Sequence, residues 1–324
     1  MMKLSFTGIL FLSCAYHCIG QIDSSYIRMD EDQVAIKTFL SKNFIFLDQE
    51  TSNRVNYSYL PNNAPNIGFG LSVNNTIIDF SYGYGFDFLR NKKRGKTDAL
   101  DFQLHNYGRK FVVDLFIQQY KGFYLNNEDE DKMLLYPDLQ IRQYGIYGQY
   151  VFNNKRFSYR AAFVQNEKQL KSAGSFLLGG GIYHTKIHSG GSFSHNEKNT
   201  FRSFQFGFSA GYAYTWVLGT KWFISASATT GINFGSEKFK DFGKYRIKIS
   251  PTIFPRISAG YSRKSWSLSG AYVGNMVFPE FAEDSNIGLN SGSLQLTLIK
   301  RLSLSFLQEK EKPIKIPSIL MRER

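Results

Sequence analysis

Hydrophobic and polar positions alternate with a period of two along most of the chain. Residues 77 to 88 set the pattern: Ile78, Phe80, Tyr82, Tyr84, Phe86 and Phe88 share one parity, and Asp79, Ser81, Gly83, Gly85 and Asp87 share the other. Successive side chains of a strand point to opposite faces, so this segment reads as a strand with one oily and one wet wall. Ile67 to Val73 forms its partner across the tight turn Asn74-Asn75. The alternation returns at 100–105, 111–117, 139–152, 157–165, 175–187, 204–218, 224–234, 247–261 and 266–273, and in a last strand ending near Phe306. Residues 43–47 and 54–60 are further candidates, and 21–42 reads equally as a short helix or an extra strand.

A soluble sandwich also alternates, so the residues opposite the apolar wall decide between architectures. Here they are Gly, Ser and isolated charges, which suits the crowded lumen of a closed barrel, while Tyr, Trp and Phe gather near strand ends as interfacial girdles do. The expected fold is an all-β, antiparallel, up-and-down transmembrane β-barrel of about 12 strands. Two features fit poorly. Short turns and long loops alternate up to residue 187 and then fall out of step, and Pro251 and Pro255 lie inside a strand, where a bulge or an extension beyond the membrane is expected.

Composition supports long strands: 30 Phe, 20 Tyr and 28 Gly stand beside 8 Pro in 324 residues. Met1-Met2-Lys3, an apolar run from Leu4 to Ile19 and small residues before Gln21 read as a cleaved signal peptide at 1–20. A barrel at 21–306 and a charged, proline-containing tail at 307–324 follow. Both cysteines, Cys14 and Cys18, leave with the signal, so disulfides do not stabilise the mature chain. A lipid anchor at Cys14 is the competing reading. The formal net charge of +13 raises nucleic acid as a partner, but basic residues cluster between strands, as in Arg90 to Lys96 and Lys238 to Lys240. They read as loops at an anionic membrane surface or as solvated turns.

Candidate chemistry is sparse. His105 lies on a wet face near Asp101, but no nucleophile elbow marks a hydrolase, and no enzyme, cofactor or metal is expected. His184 and His188 stand four apart on a strand and diverge, and the acidic run 127–131 lacks the spaced ligands of a calcium loop. The wet-wall charges are the candidate lumen site: Asp79, Asp87, Asp101, His105 and Asp114 early in the chain, Arg160, Lys248 and Arg256 later. Buried charges need partners or water, so these residues either form a polar network that fills the barrel or line a narrow pore. The polar stretch around Gln165, Glu167, Lys168 and Lys171 is either a constriction folded into the lumen or an exposed loop.

Several stretches resemble a known family. They are Tyr59-Leu60-Pro61-Asn62, Gly95-Lys96-Thr97, Tyr107 to Phe111 with Asp114-Leu115, Tyr120 to Tyr124, Tyr136 to Leu139, and above all Val151 to Phe163 continuing through Gln169 to Ser175. These resemble the DUF4421 family, a domain of unknown function in exported Gram-negative proteins regarded as outer-membrane barrels. The resemblance covers most of the mature chain and implies no catalytic residue. Together the readings imply a monomeric outer-membrane barrel that binds or passively transports small solutes. Its partners would be outer-membrane lipid, lipopolysaccharide and, during biogenesis, the barrel-assembly machinery. The alternatives are a non-transporting surface or assembly barrel, an outer-membrane lipid hydrolase and a soluble periplasmic β-sandwich.

Overall fold

The computed structural model describes residues 22–29, 33–50, 56–73, 76–82, 87–125, 133–190, 199–237, 247–279 and 286–303. The signal segment, the tail and the runs 127–131 and 238–240 lie outside the described residues, as do the side chains of 72–87. In chain order the strands are β1 (Ile27–Met29), β2 (Gln33–Glu50), β3 (Asn56–Leu60), β4 (Asn66–Val73), β5 (Thr76–Tyr82), β6 (Asp98–Tyr107), β7 (Phe111–Leu125) and β8 (Leu135–Val151). Then come β9 (Glu167–Gln169), β10 (Ala173–His188), β11 (Thr200–Leu218), β12 (Trp222–Ser236), β13 (Lys248–Ser262), β14 (Trp266–Val277) and β15 (Asn286–Ser303).

Ten of these strands close a ring of antiparallel neighbours, β2-β3-β7-β8-β10-β11-β12-β13-β14-β15, sealed by the pairing of β15 with β2 from Asn286↔Glu50 to Ser303↔Gln33. The strand number changes along the axis. β3 joins only the upper ends of its neighbours, pairing Tyr59 with Leu47 and Leu125. Below it the lower half of β2 pairs with β4, which carries β5, and the lower half of β7 pairs with β6. There β4, β5 and β6 replace β3, and the wall counts twelve strands, with no pairing between β5 and β6 among the described residues. The expected count of about 12 agrees roughly with a ring of ten that forks into twelve at one end.

A small polar knot holds the fork. The Thr97 hydroxyl donates to the Gly122 carbonyl and receives the backbone N–H of Asn62, each at 2.6 Å. The Asn62 amide donates to the carbonyls of Asn91 (2.8 Å) and Gly95 (2.6 Å). Gly122 is the bulge at which the β7–β8 register shifts; it adopts φ +88°, and a Cβ there would sit 2.4 Å from the Lys96 carbonyl oxygen. Only glycine tolerates both the backbone conformation and the close approach.

Three corrections follow from the strand path. Residues 157–165 form no strand; after a turn at 152–156 they carry a π-helical turn, Arg160–Val164. Without that strand, 108–110, 152–172, 219–221 and 263–265 all lie at one end, 152–172 being the long connection among them. The strand of 77–88 is β5 as far as Tyr82, and Asp87–Leu89 is a short 3-10 turn. Finally, β13 runs through Pro251 and Pro255 without a bulge. Both prolines have the outward parity, and the ladder to β14 merely omits Phe254 and Pro255 before resuming in the same register at Arg256↔Val273.

The polarity is that of a globular protein turned inside out. Outward positions carry exposed apolar side chains, among them Leu100, Phe102, Phe176, Phe208, Ile253, Leu296 and Leu298. Inward positions are buried and largely polar: Gln118, Gln143, Thr185, Gln205, Ser225, Ser250, Thr252 and Ser267. The exception is an apolar cluster in the upper lumen, Ile45, Leu47, Tyr120, Leu139, Ile141, Ile187 and Leu289 with their neighbours.

Gly122→Ala is expected to destabilise the fork by about 1–2 kcal/mol from backbone strain alone, with more from the clash. A lower urea midpoint of the folded barrel measures it, and an unchanged midpoint would remove the bulge from this role.

Candidate functional site: a filled lumen

Asp114 on β7 and Arg256 on β13 lie on diametrically opposite strands of the ten-strand ring, and their side chains meet across the lumen in an ion pair that leaves both buried. His105, paired in register with Asp114 on β6, places Nδ1 2.6 Å from the same carboxylate. The Tyr107 hydroxyl lies 3.2 Å from the Arg256 guanidinium, which also sits 5.7 Å from the Tyr107 ring centroid. An isolated charge here would be very costly; one carboxylate shared between an arginine and a histidine satisfies both partners.

An aromatic layer packs against this bridge. Tyr147 of β8 stacks on Phe254 of β13 with centroids 4.1 Å apart, and Phe116 stacks on Tyr183 at 5.9 Å. The Tyr147 hydroxyl reaches Ser209 (2.8 Å) and Thr229 (2.9 Å) on two further strands. Gly145 makes room for the rings, since a Cβ there would fall 2.3 Å from the tip of Phe116. On β6, Asp101 accepts from Tyr120 (2.5 Å), Gln118 (2.9 Å) and Gln103 (2.9 Å).

The end of the lumen at the short turns is occupied by residues 157–169. Their root is apolar, with Phe157 and Tyr159 buried in a cluster with Val112, Val151 and Leu177. Their tip is held by polar contacts. Ser258 donates to the Ala162 carbonyl (2.7 Å), Gln165 bonds Ser269, and Arg301 donates to the Gln165 carbonyl (2.7 Å). Glu167 is fully enclosed. It accepts from Arg109 (2.5 Å) and Ser158 (2.7 Å), with the Arg160 guanidinium at 3.6 Å. Gln165 adopts φ +60°, the single non-glycine residue with positive φ among the described residues. The segment ends in β9, which pairs with β1 as a separate two-stranded ribbon. Beside it Arg156 binds Asp23 at 3.2 Å. The hydroxyl of Ser25, followed by its backbone N–H and by Arg156, holds the Asp23 carboxyl below its usual range.

The structure therefore brings His105, Asp114 and Arg256 together, sets Asp101 further along β6 among Tyr120, Gln118 and Gln103, and separately gathers Arg160, Gln165 and Glu167. Arg160 reaches the interior from the π-helical turn, since the strand expected around it does not exist. Lys248 stands apart at the upper end of β13 on the inward parity. Lys168 and Lys171 lie at the rim, the first donating to the Thr220 carbonyl (2.7 Å), the second 5.3 Å from the Tyr26 ring centroid. The side chains of Asp79 and Asp87 lie outside the described ones. Sequence reasoning missed Arg109, Tyr147, Phe254 and Arg301, because an arginine in a turn or an aromatic on the inward parity carries no local mark of its partner across the ring.

Asp114→Asn is expected to cost about 3–5 kcal/mol, since it leaves Arg256 buried without a counter-charge. Adding Arg256→Gln should cost clearly less than the two single losses combined, as a double-mutant cycle of urea midpoints measures. Additive losses would deny the bridge.

Among solved structures, the outer membrane protease OmpT of Escherichia coli matches at 7% identity and a TM-score of 0.37, over 85% of this chain and 98% of that one. The outer-membrane OmpT of Vibrio cholerae matches at 8% and 0.27, over 85% and 100%. The Pseudomonas putida toluene transporter TodX matches at 6% and 0.22, over 84% and 90%. Superpositions this loose carry no argument about this chain. No curated protein matches. The family model described as a domain of unknown function, DUF4421, matches residues 21–301, and the chain belongs to that family.

Proposed function

We propose that this protein is an outer-membrane β-barrel whose lumen is filled and which acts by binding at its surfaces instead of conducting as an open pore. An apolar outward wall around a polar interior suits a bilayer as solvent, and a closed ladder is one of the two ways a chain can span one. The observation that carries the non-conducting reading is closure at successive levels. Asp114 bridges to Arg256, Tyr147 stacks on Phe254, and Gln165 and Glu167 occupy the end of the lumen. Export and outer-membrane residence follow from this reading together with the signal segment at the N-terminus.

A second reading, gated passage of small polar solutes, is favoured by the tip of the 157–169 segment. It is strained at Gln165 and fastened by hydrogen bonds and ion pairs that water can replace, while its root at Phe157 and Tyr159 is anchored in an apolar cluster.

Fractionation with the outer membrane and a heat-modifiable gel shift are expected; a soluble, non-shifting protein would overturn the membrane reading. In planar bilayers the intact protein should be silent. A variant with 157–166 replaced by a short Gly-Ser turn should stay silent on the first reading and conduct on the second, whereas steady conductance by the intact protein defeats the filled lumen.

A further inference from the structure

Five consecutive strands of the ring, β11 to β15, contain no Asp or Glu in the described spans 200–236, 248–277 and 286–303. The same spans hold eight cations: Arg202, Lys221, Lys248, Arg256, Arg263, Lys264, Lys300 and Arg301. Arg256 and Arg301 point inward and are accounted for by the lumen. Of the others, Lys221, Arg263, Lys264 and Lys300 gather at the end of the short turns, where 219–221 joins β11 to β12 and 263–265 joins β13 to β14. Lys300 stands opposite Trp266 in the β14–β15 register.

All three tryptophans of the chain lie in the same quadrant, Trp216 and Trp222 exposed and Trp266 half-buried. With two tyrosines they form two aromatic groups on the outer wall, Tyr214 with Trp216 and Tyr261 with Trp222 and Trp266. Tyr214 and Trp216 lie 4.9 Å apart between centroids, Trp222 and Tyr261 4.8 Å, and Tyr261 and Trp266 5.4 Å. Arg263 ties the rings to the cations: Nε donates to the Tyr261 hydroxyl at 2.9 Å, and its guanidinium lies 5.6 Å from the Tyr261 and 6.0 Å from the Trp266 ring centroid. Above the rings the outward wall is apolar, with Ile224, Ile257, Leu268, Leu296 and Leu298 exposed.

We infer that this quadrant is a binding site for an anionic glycerophospholipid, its phosphodiester held by Lys221, Arg263, Lys264 and Lys300 and its chains lying on the apolar wall. The inference rests on the membrane reading above. Charge complementarity chooses the occupant. Tryptophan and tyrosine alone would anchor any headgroup at the interface, but four cations with no carboxylate on the same strands favour a net negative one. Both ends of the described barrel, the start of β2 and the finish of β15, lie at this rim, so it faces the side from which an exported chain is delivered. The lipid is accordingly a phospholipid of that leaflet and not lipopolysaccharide.

The tryptophans make the site directly observable. The protein is reconstituted in phosphatidylcholine vesicles containing a small, equal fraction of either brominated phosphatidylglycerol or brominated phosphatidylcholine, and intrinsic tryptophan emission is followed. Each cation engaged near a headgroup enriches anionic lipid about fivefold. Brominated phosphatidylglycerol should therefore quench several-fold more strongly than brominated phosphatidylcholine. Arg263→Gln with Lys264→Gln should abolish that excess while leaving quenching by brominated phosphatidylcholine intact. Equal quenching by both lipids overturns the site while leaving the barrel in the membrane, and no quenching by either overturns the membrane reading itself. An excess that survives the double substitution assigns the preference to other residues and overturns the site as drawn.

Discussion

Asp114 sits at the centre of the barrel, and its carboxylate decides how the lumen can be filled. It is reached from β6 by the His105 imidazole and from the far side of the ring by the Arg256 guanidinium. Side chains from β7 and β13 touch across the lumen, so this pairing is made without an intervening element. Everything near it conforms. The Tyr107 ring lies against the guanidinium, Tyr147 and Phe254 close the space beside it, and Gly145 yields room to Phe116. Asp114 and Arg256, both buried, neutralise each other.

The end at the short turns repeats the solution with different parts. Glu167, brought in by a loop instead of a strand, is enclosed with Arg109 and Arg160, and Arg301 from the last strand binds the loop backbone at Gln165. Three carboxylates, Asp101, Asp114 and Glu167, and four arginines thus organise the interior, while many of the remaining inward positions are neutral Gln, Ser and Thr. The outer surface follows the opposite rule, apolar in the middle of the wall and cationic at the rim, which is why the basic excess of the chain does not accumulate inside.

Most of the wall was legible in the sequence because outward-facing and lumen-facing residues differ in kind. Phe204 to Leu218 alternates cleanly, and β11 follows it throughout. Legibility failed where that contrast disappears. In the upper part of β2, Phe44, Ile45, Phe46 and Leu47 are apolar on both faces, because the upper lumen there is itself apolar, and one continuous strand of 18 residues was divided into a short candidate and an undecided stretch. Residues 157–165 failed in the other direction. Phe157 and Tyr159 alternate with Ser158 and Arg160 as in a strand, yet they pack with Val112 and Leu177 inside the ring. Period alone does not tell a segment that builds the wall from one that the wall encloses. The lumen charges were found by parity, but their partners were not, because Arg256 answers an aspartate 142 positions earlier.

The construction of residues 157–169 also bears on whether the barrel is permanently shut. Burying Phe157 and Tyr159 contributes about 1.5–3 kcal/mol for each large side chain, and none of that returns when the segment meets water. The tip is different. Its contacts with Ser258, Ser269 and Arg301 are hydrogen bonds worth about 0.5–1.5 kcal/mol each beyond what water offers, and a residue held at φ +60° such as Gln165 gives back about 1–3 kcal/mol on release. The balance at the tip is therefore small, and the obstacle to its departure is the enclosed Glu167, which would have to leave the half-buried Arg109 without its counter-charge. On the gated reading the segment swings from Phe157 once the Glu167 pair is exchanged for water; on the filled-lumen reading that pair and the apolar root hold it in place.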